Sequence, residues 1–243
     1  MSTYSLYGIR FNKISEKEAI TNIRTALLNK MRTVIFTPNL QIIGRCIKDQ
    51  QLGALLNSAD MLLPDGVGIG LLCRKQGVTD FERITGIDTA FSVLKIAEEN
   101  RLKVFLLGGK PQIAQRAAEK LKNALPQLII CGTHHGYFNK EKNSAENNCI
   151  IEQLRTAKPD ILFVCFGFPV QERWISENAD QLPSVSLFMG LGGSLDVWSG
   201  KCRRAPNIFQ RLHLEWLWRC LFQPKRFVSL FRNAFTVLFL KKQ

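Results

Sequence analysis

Apolar and amphipathic stretches alternate along the first 200 residues of the chain. Residues 160–167 (DILFVCFG) are the clearest apolar stretch, because their six central positions are all hydrophobic, as in a parallel strand buried on both faces. Comparable short runs occur at residues 33–36, 61–63, 103–107, 128–131 and 185–189. Hydrophobic residues between these runs recur at helical spacing. This alternation predicts an α/β domain with a mostly parallel, Rossmann-like sheet flanked by helices.

Capping residues indicate where some of these helices begin. Ser15 and Glu18 form a capping-box pattern ahead of an apolar helical repeat. Asp88 is a candidate cap for a helix over residues 89–98, and Pro111 is expected at the first position of a later helix.

The pattern changes after residue 200. Two amphipathic helices separated at Pro224 are predicted there, and the second has polar and basic residues on one arc and phenylalanines on another. Residues 201–243 contain ten Lys and Arg residues and one Glu, so +9 of the formal charge of +13 lies in this segment. The sequence therefore predicts an α/β catalytic domain, residues 1–200, and a basic amphipathic helical appendage, residues 201–243.

The basic segment favours one class of partner over another. Its Lys and Arg residues are interleaved with Trp, Phe and Leu, which favours an anionic membrane surface over nucleic acid. A nucleic-acid-binding α/β protein is the competing interpretation, and binding to anionic vesicles or to DNA distinguishes the two. The sequence shows no signal-peptide pattern and no uncharged apolar run of about 20 residues. We expect a cytoplasmic protein that is peripheral on the inner face of the plasma membrane.

Metal and disulfide chemistry is not favoured by the composition. The seven cysteines include no C-x-x-C pair, there are three histidines, and no two aspartates form a D-x-D pattern. We therefore expect reduced thiols, no bound metal and no cofactor.

Polar residues and glycines gather at the predicted strand ends. They are Thr37, Asn39, Asp65, Arg83, Gly108, Gly109, Gln171 and the turn at residues 190–194. Singly, each has an ordinary explanation as a turn, helix cap or solvated residue. Because the carboxyl ends of parallel strands meet at one edge of a sheet, six such ends together favour a shared crevice for a nucleotide. Asp65, in Leu63-Pro64-Asp65-Gly66, is the candidate general base of a transferase using a nucleotide-linked sugar.

Familiar phosphate-binding fingerprints do not fit the glycine turns. Gly108-Gly109-Lys110-Pro111 lacks the spacing and the Ser or Thr of a P-loop, and the alternating glycines at 66, 68 and 70 are not G-x-G-x-x-G. A dehydrogenase is therefore not favoured. A diphosphate leaving group would be stabilised by backbone N–H groups and arginine.

Several segments, in this order along nearly the whole chain, resemble the WecG/TagA/CpsF glycosyltransferase family. They are Thr37-Pro38-Asn39, Leu63-Pro64-Asp65-Gly66, Arg83-x-x-Gly86-x-Asp88, Phe105-Leu106-Leu107-Gly108-Gly109, Gly136-Tyr137-Phe138, Gly167-x-Pro169-x-Gln171-Glu172, Gly190-x-Gly192-Gly193-Ser194-x-Asp196 and Arg204-Ala205-Pro206 followed by Leu214-Glu215-Trp216-Leu217.

The resemblance implies an inverting, metal-independent bacterial enzyme. It would transfer N-acetylmannosamine from UDP to N-acetylglucosaminyl-diphospho-undecaprenol, in the synthesis of wall teichoic acid, exopolysaccharide or a related surface polymer. Asp65 is the implied base, with Thr37 and Asn39 beside it in the catalytic pocket. The predicted substrate-binding residues are Arg83, Gly108, Gly109, Tyr137, Gln171, Gly192, Gly193, Arg219 and Arg226.

The resemblance also concerns the appendage, which would dock on the membrane and supply Arg219 and Arg226 to the active site. Where many members have a third basic residue, this chain has Ser229, with Arg232 one turn later.

Two alternatives stay open. In the first, the donor is UDP-N-acetylmannosaminuronic acid or another UDP-hexose, and the acceptor chemistry is the same. In a different class, the protein would bind a UDP-sugar as a non-catalytic partner of a membrane glycan assembly. A homo-oligomer is compatible with either.

Overall fold

The computed structural model describes residues 2–78, 81–202, 205–206 and 209. A small antiparallel hairpin of β1 (Thr3–Leu6) and β2 (Ile9–Asn12) precedes a six-stranded sheet. The sheet strands are β3 (Thr33–Phe36), β4 (Met61–Leu62), β5 (Lys103–Gly108), β6 (Ile129–His134), β7 (Ile161–Cys165) and β8 (Leu187–Gly190). Their order is β4-β3-β8-β7-β5-β6, and every neighbouring pair is parallel. The predicted α/β fold with a mostly parallel sheet is confirmed.

Helices cover both faces of the sheet. In the part of the chain that the structure describes they are α1 (Glu16–Leu28), α2 (Leu40–Cys46), α3 (Gln50–Asn57), α4 (Val67–Lys75), α5 (Gly86–Glu99), α6 (Ile113–Ala124), α7 (Ala145–Ala157), α8 (Val170–Asn178) and α9 (Ser194–Trp198), with a 3₁₀ turn at Ala179–Gln181. Side chains of α1, α5, α6 and α9 pack on one face, and those of α2, α3, α4, α7 and α8 pack on the other.

Strand β7 shows why two cores form. All five of its residues are buried. Ile161, Phe163 and Cys165 point to one core, whereas Leu162 and Val164 point to the other, because successive side chains of a strand alternate between faces. A strand buried on both faces needs apolar residues at consecutive positions, and this is the pattern of residues 160–167.

Two helix starts differ from those predicted. The capping box of Ser15 and Glu18 is present at α1. Asp88, however, lies in the first turn of α5, whose N-cap is Thr85, and its carboxylate accepts a hydrogen bond from the Thr85 hydroxyl. An acid is favourable both as a cap and in the first turn, so residue type alone does not separate the two positions. Pro111 also precedes its helix, because Gln112 adopts a positive φ of 69° before α6 begins.

The chain changes face in the middle of the sheet. Strand β3 is followed by α2 on one face, and its neighbour β8 is followed by α9 on the other. The connections therefore diverge above the carboxyl ends of β3 and β8. This is the geometry at which open α/β sheets bind their ligands.

Most of the predicted appendage, including Arg219, Arg226 and Arg232, lies outside the described residues. The division of the chain at residue 200 therefore stays a prediction. Among the helices that the structure describes, none has the length and apolar character needed to cross a bilayer.

Candidate active site

The loops after β3 and β4 are joined through their backbones. The Leu63 N–H donates to the Phe36 carbonyl at 3.0 Å, and the Asp65 N–H donates to the Pro38 carbonyl at 3.1 Å. Gly66 then turns the chain into α4 with a φ of 88°, a conformation that a residue with a Cβ rarely adopts. Asp65 is half-buried. The structure thus brings Asp65 beside the Thr37-Pro38-Asn39 loop, as the sequence predicts.

Asn39 also has a local role. Its side-chain Oδ1 accepts hydrogen bonds from the N–H groups of Gln41 and Ile42 at 3.0 and 3.2 Å, which caps α2. A contact with a ligand would therefore come from the Nδ2 group. Its predicted catalytic role stays a prediction.

The loop that carries Arg83 adjoins the same two turns. The Ile84 N–H donates to the Pro64 carbonyl at 3.0 Å. A Cβ atom added to Gly86 would lie 2.5 Å from Thr37 Oγ1, so only glycine lets α5 approach Thr37 this closely. Arg83 is half-buried, and its positive charge opposes the rise in the pKa of Glu16, which is caused mainly by burial and also by Asp88 and Glu82.

Gln171 connects the turns after β7 and β8. Its Oε1 accepts from the Gly167 N–H at 3.1 Å and from the Gly192 N–H at 2.8 Å, and its side chain is 4% exposed. A Cβ added to Gly190 would lie 2.8 Å from Gln171 Nε2 and 3.3 Å from the Phe36 ring. The predicted substrate-binding role of Gln171 is untested, and the structure gives it a bracing role that sequence reasoning missed.

Glycines let the turns of β5, β6 and β7 touch one another. The Gly109 N–H donates to the Cys165 carbonyl at 3.3 Å, and the Gly136 N–H donates to the Gly109 carbonyl at 2.8 Å. Gly108 has a φ of 139°, and a Cβ there would lie 2.5 Å from the Cys165 carbonyl oxygen. These turns expose backbone where a side chain would otherwise stand.

Tyr137 lies at the edge of the sheet, at the tip of the loop after β6, and is 63% exposed. Lys140 fastens this loop. Its Nζ lies 4.5 Å from the Phe138 ring centroid and 4.8 Å from that of Phe166, and it donates to the carbonyls of Gly136 and Phe138. Desolvation lowers the pKa of Lys140. Lys140 is thus a structural cation that the sequence patterns did not single out.

Glu172 is the buried acid next to Gln171. Its side chain is 2% exposed, and its Oε1 accepts from Gln171 Nε2 at 2.9 Å. Burial raises its pKa to about 7, against smaller opposing effects of which the Gln171 hydrogen bond is the largest and Arg45 is another. Glu172 is three residues before the buried Ile175, so the two side chains lie on the same, inward-facing side of α8. A charged residue in a helix ordinarily faces solvent, and for that reason Glu172 was given no role from the sequence although it is part of a motif.

These contacts form an unbroken row of loops along the carboxyl edge of the sheet. The row begins with Asp65 and Thr37, continues through Gln171 and the turns at Gly167 and Gly192, and ends with Gly108, Gly109 and the Tyr137 loop. Arg219 and Arg226 lie beyond the described residues. In the described part of the chain, no group of three or more His, Cys, Asp or Glu side chains is arranged to hold a metal ion.

An α/β sheet with a half-buried carboxylate and a row of glycine turns at its carboxyl edge has the architecture of a ligand-binding enzyme. Comparison with known proteins gives the family. The model of the "Glycosyl transferase WecG/TagA/CpsF family" matches residues 4–243, and the chain belongs to that family.

Two similar proteins of known name have the same activity in that name. An N-acetylglucosaminyldiphosphoundecaprenol N-acetyl-beta-D-mannosaminyltransferase of Staphylococcus aureus (strain NCTC 8325 / PS 47) is 33% identical over 223 residues, covering 91% of this chain and 85% of the relative. The protein of the same name from strain MRSA252 matches with the same identity and coverage. The present chain is thus a glycosyltransferase with relatives that act on a polyprenyl-diphosphate-linked sugar.

Proposed function

We propose that this protein transfers N-acetylmannosamine from UDP-N-acetylmannosamine to N-acetylglucosaminyl-diphospho-undecaprenol. Family membership and the names of the Staphylococcus aureus relatives support this reaction. The observation that carries it is the hydrogen bond from the backbone N–H of Asp65 to the Pro38 carbonyl, which places residue 65 beside the Thr37 loop at the carboxyl edge of the sheet, where such sheets bind ligands.

In the proposed reaction, Asp65 takes the proton from the attacking hydroxyl of the acceptor sugar. The oxygen attacks the anomeric carbon from the face opposite UDP, a C–O bond forms, and the bond to the diphosphate breaks with inversion. Thr37 and Asn39 hold the sugar beside the base. Arg83 and the amides of the glycine turns offset the negative charge that grows on the departing UDP.

The proposed reaction uses no metal and no cofactor. Metal-dependent sugar transferases commonly hold a divalent cation on a D-x-D carboxylate pair, and this sequence contains none. Backbone N–H groups and arginine would then carry the role of the cation at the diphosphate.

The basic C-terminal segment supports a peripheral membrane location. Its ten Lys and Arg residues against one Glu favour an anionic leaflet, at about 1 kcal/mol per nearby cation. The lipid acceptor is confined to that leaflet, so the same segment would bring the enzyme to its substrate. A chain shortened to end at Gly200 is expected to lose binding to anionic vesicles and most activity on a lipid acceptor. Full activity of the shortened chain would contradict this role.

The purified full chain, incubated with a panel of UDP-sugars and a short-chain lipid-diphosphate-N-acetylglucosamine, tests the reaction. We expect transfer from UDP-N-acetylmannosamine with an inverted anomeric linkage, read by mass spectrometry and NMR. Preference for UDP-N-acetylmannosaminuronic acid would change the donor and keep the mechanism. UDP binding without any turnover would favour the non-catalytic alternative.

A further inference from the structure

Glu172 is a buried acid with one unpartnered oxygen. Among the residues that the structure describes, its Oε2 has no hydrogen-bond partner and is closed off from solvent, whereas Oε1 accepts from Gln171 Nε2 at 2.9 Å. Burying a carboxyl with half of its acceptors unused is unfavourable. The sequence-based prediction of the site gives Glu172 no role.

The contact with Gln171 fixes which way the Gln171 carboxamide points. With Nε2 held by Glu172, Oε1 faces the N–H groups of Gly167 and Gly192. If the carboxamide were reversed, its NH₂ group would face two further donors and its oxygen would face the acid. Without an acceptor at position 172, the Gln171 Nε2 group loses its partner, and the observed orientation of the carboxamide is less strongly favoured over others.

This carboxamide sets the distance between two turns of the crevice. Gly167 follows β7 and Gly192 follows β8, and they are 25 positions apart in the chain, yet both N–H groups meet on one oxygen. Gly190 packs against the same carboxamide and against Phe36, which leads into Thr37. A shift of Gln171 would therefore displace the Gly167 and Gly192 turns from one another.

A second contact supports this corner from outside. Arg45 on α2 donates to the Phe168 carbonyl at 2.9 Å and its guanidinium lies 4.9 Å from the Phe168 ring centroid. Arg45 also favours the charged form of Glu172, and Glu172 in turn disfavours the thiolate of Cys46. Glu172 therefore lies within electrostatic range of α2 and beside Gln171.

We propose that Glu172 is a positioning residue: by orienting the Gln171 carboxamide it holds the Gly167 and Gly192 turns in the arrangement that binds the diphosphate of the donor. The proposal rests on the proposed function, because it assigns a donor to these turns. It predicts an effect on donor affinity and not on the proton transfer, since Asp65 lies on loops that Glu172 does not touch.

The test compares Glu172→Met, which fills the same volume without an acceptor, with Glu172→Gln, which keeps one. In Glu172→Met we expect the KM of the UDP-sugar and the Kd of UDP to rise roughly tenfold, with kcat and the KM of the lipid acceptor changed less than about twofold. Glu172→Gln should return both values to within about threefold of the wild type. Glu177→Met, on the same helix, is the matched control and should match the wild type.

Calorimetry with UDP and steady-state kinetics separate the two ways of failing. If the wild type binds UDP and Glu172→Met binds it equally well, the positioning role is wrong and the proposed function stands. The same holds if Glu172→Gln is as weak as Glu172→Met, or if kcat alone falls. Failure of the wild type to bind UDP would overturn both proposals.

Discussion

The row of loops along the carboxyl edge of the sheet is built from different groups on its two sides. Beside β3 and β4 the loops present side chains, those of Thr37, Asn39 and Asp65. Beside β5, β7 and β8 they present mainly backbone, through turns at Gly108, Gly109, Gly167 and Gly192.

In the proposed reaction, this difference corresponds to two chemical tasks. Removing a proton needs a titratable side chain at one point in space. Binding a diphosphate needs several donors that do not move. The N–H groups of Gly109, Gly167 and Gly192 already donate within the protein, which holds the remaining backbone N–H groups of these turns in place without side-chain entropy. The comparison thus assigns proton transfer to one side and donor binding to the other, and the following changes test that assignment.

The largest effect, a loss of turnover, is expected from Asp65→Asn, in the loops that present side chains. Removing the base should lower kcat by about 10³-fold, within the usual range for general bases, while UDP binding changes little. Steady-state rates and calorimetry measure the two quantities, and the thermal unfolding midpoint serves as the control for folding. Unchanged turnover would remove Asp65 from the mechanism.

On the glycine side, Gly108→Ala should destabilise the fold by about 3 kcal/mol. The added Cβ would lie 2.5 Å from the Cys165 carbonyl oxygen, at a φ of 139° that alanine rarely adopts. Gly77→Ala is the control, because Gly77 has a φ of 79° but no atom of the described residues lies within 4 Å of the added Cβ. It should cost only about 1 kcal/mol. Equal urea midpoints for the two variants would refute the close approach at Gly108.

Glu172 lies behind the glycine turns, next to Gln171. The stability of Glu172→Gln relative to the wild type should depend on pH. The pKa of Glu172 is raised from 4.5 to about 7, so the wild type loses stability as pH rises through this window and the buried acid ionises. At pH 9 the glutamine variant should therefore be more stable by on the order of 2 kcal/mol, with little difference below pH 4.5. Denaturant unfolding across pH measures this, and a gain that is constant with pH would contradict the assignment.

The smallest effect is expected from chelation. If backbone N–H groups and arginine bind the diphosphate, EDTA should change the transfer rate by less than about twofold. A loss of activity that Mn²⁺ or Mg²⁺ restores would show that backbone N–H groups and arginine do not suffice to bind the diphosphate.

Local patterns predicted the elements but not their neighbours. The apolar run at residues 160–167 identified β7, and the turns after it were recognisable from glycine and proline. Pairing of β3 with β8 joins residues about 150 positions apart, and no local pattern carries that information. For the same reason the role of Gln171 in connecting two turns was not predicted, since its partner Gly192 lies 21 positions away. Glu172 was given no role because its burial depends on the tertiary packing of α8 and not on its own chemistry.

The place of β8 has a consequence for synthesis of the protein. It is the final strand of the sheet in chain order, yet it lies between β3 and β7. A nascent chain released only as far as β7 would carry two strands with open edges, each a template for misassembly and a target for chaperones. Only when Leu187–Gly190 inserts do Asp65 and the glycine turns become neighbours. The ribosome therefore has to finish nearly the whole sheet before the proposed donor site exists, so UDP binding would report completed folding.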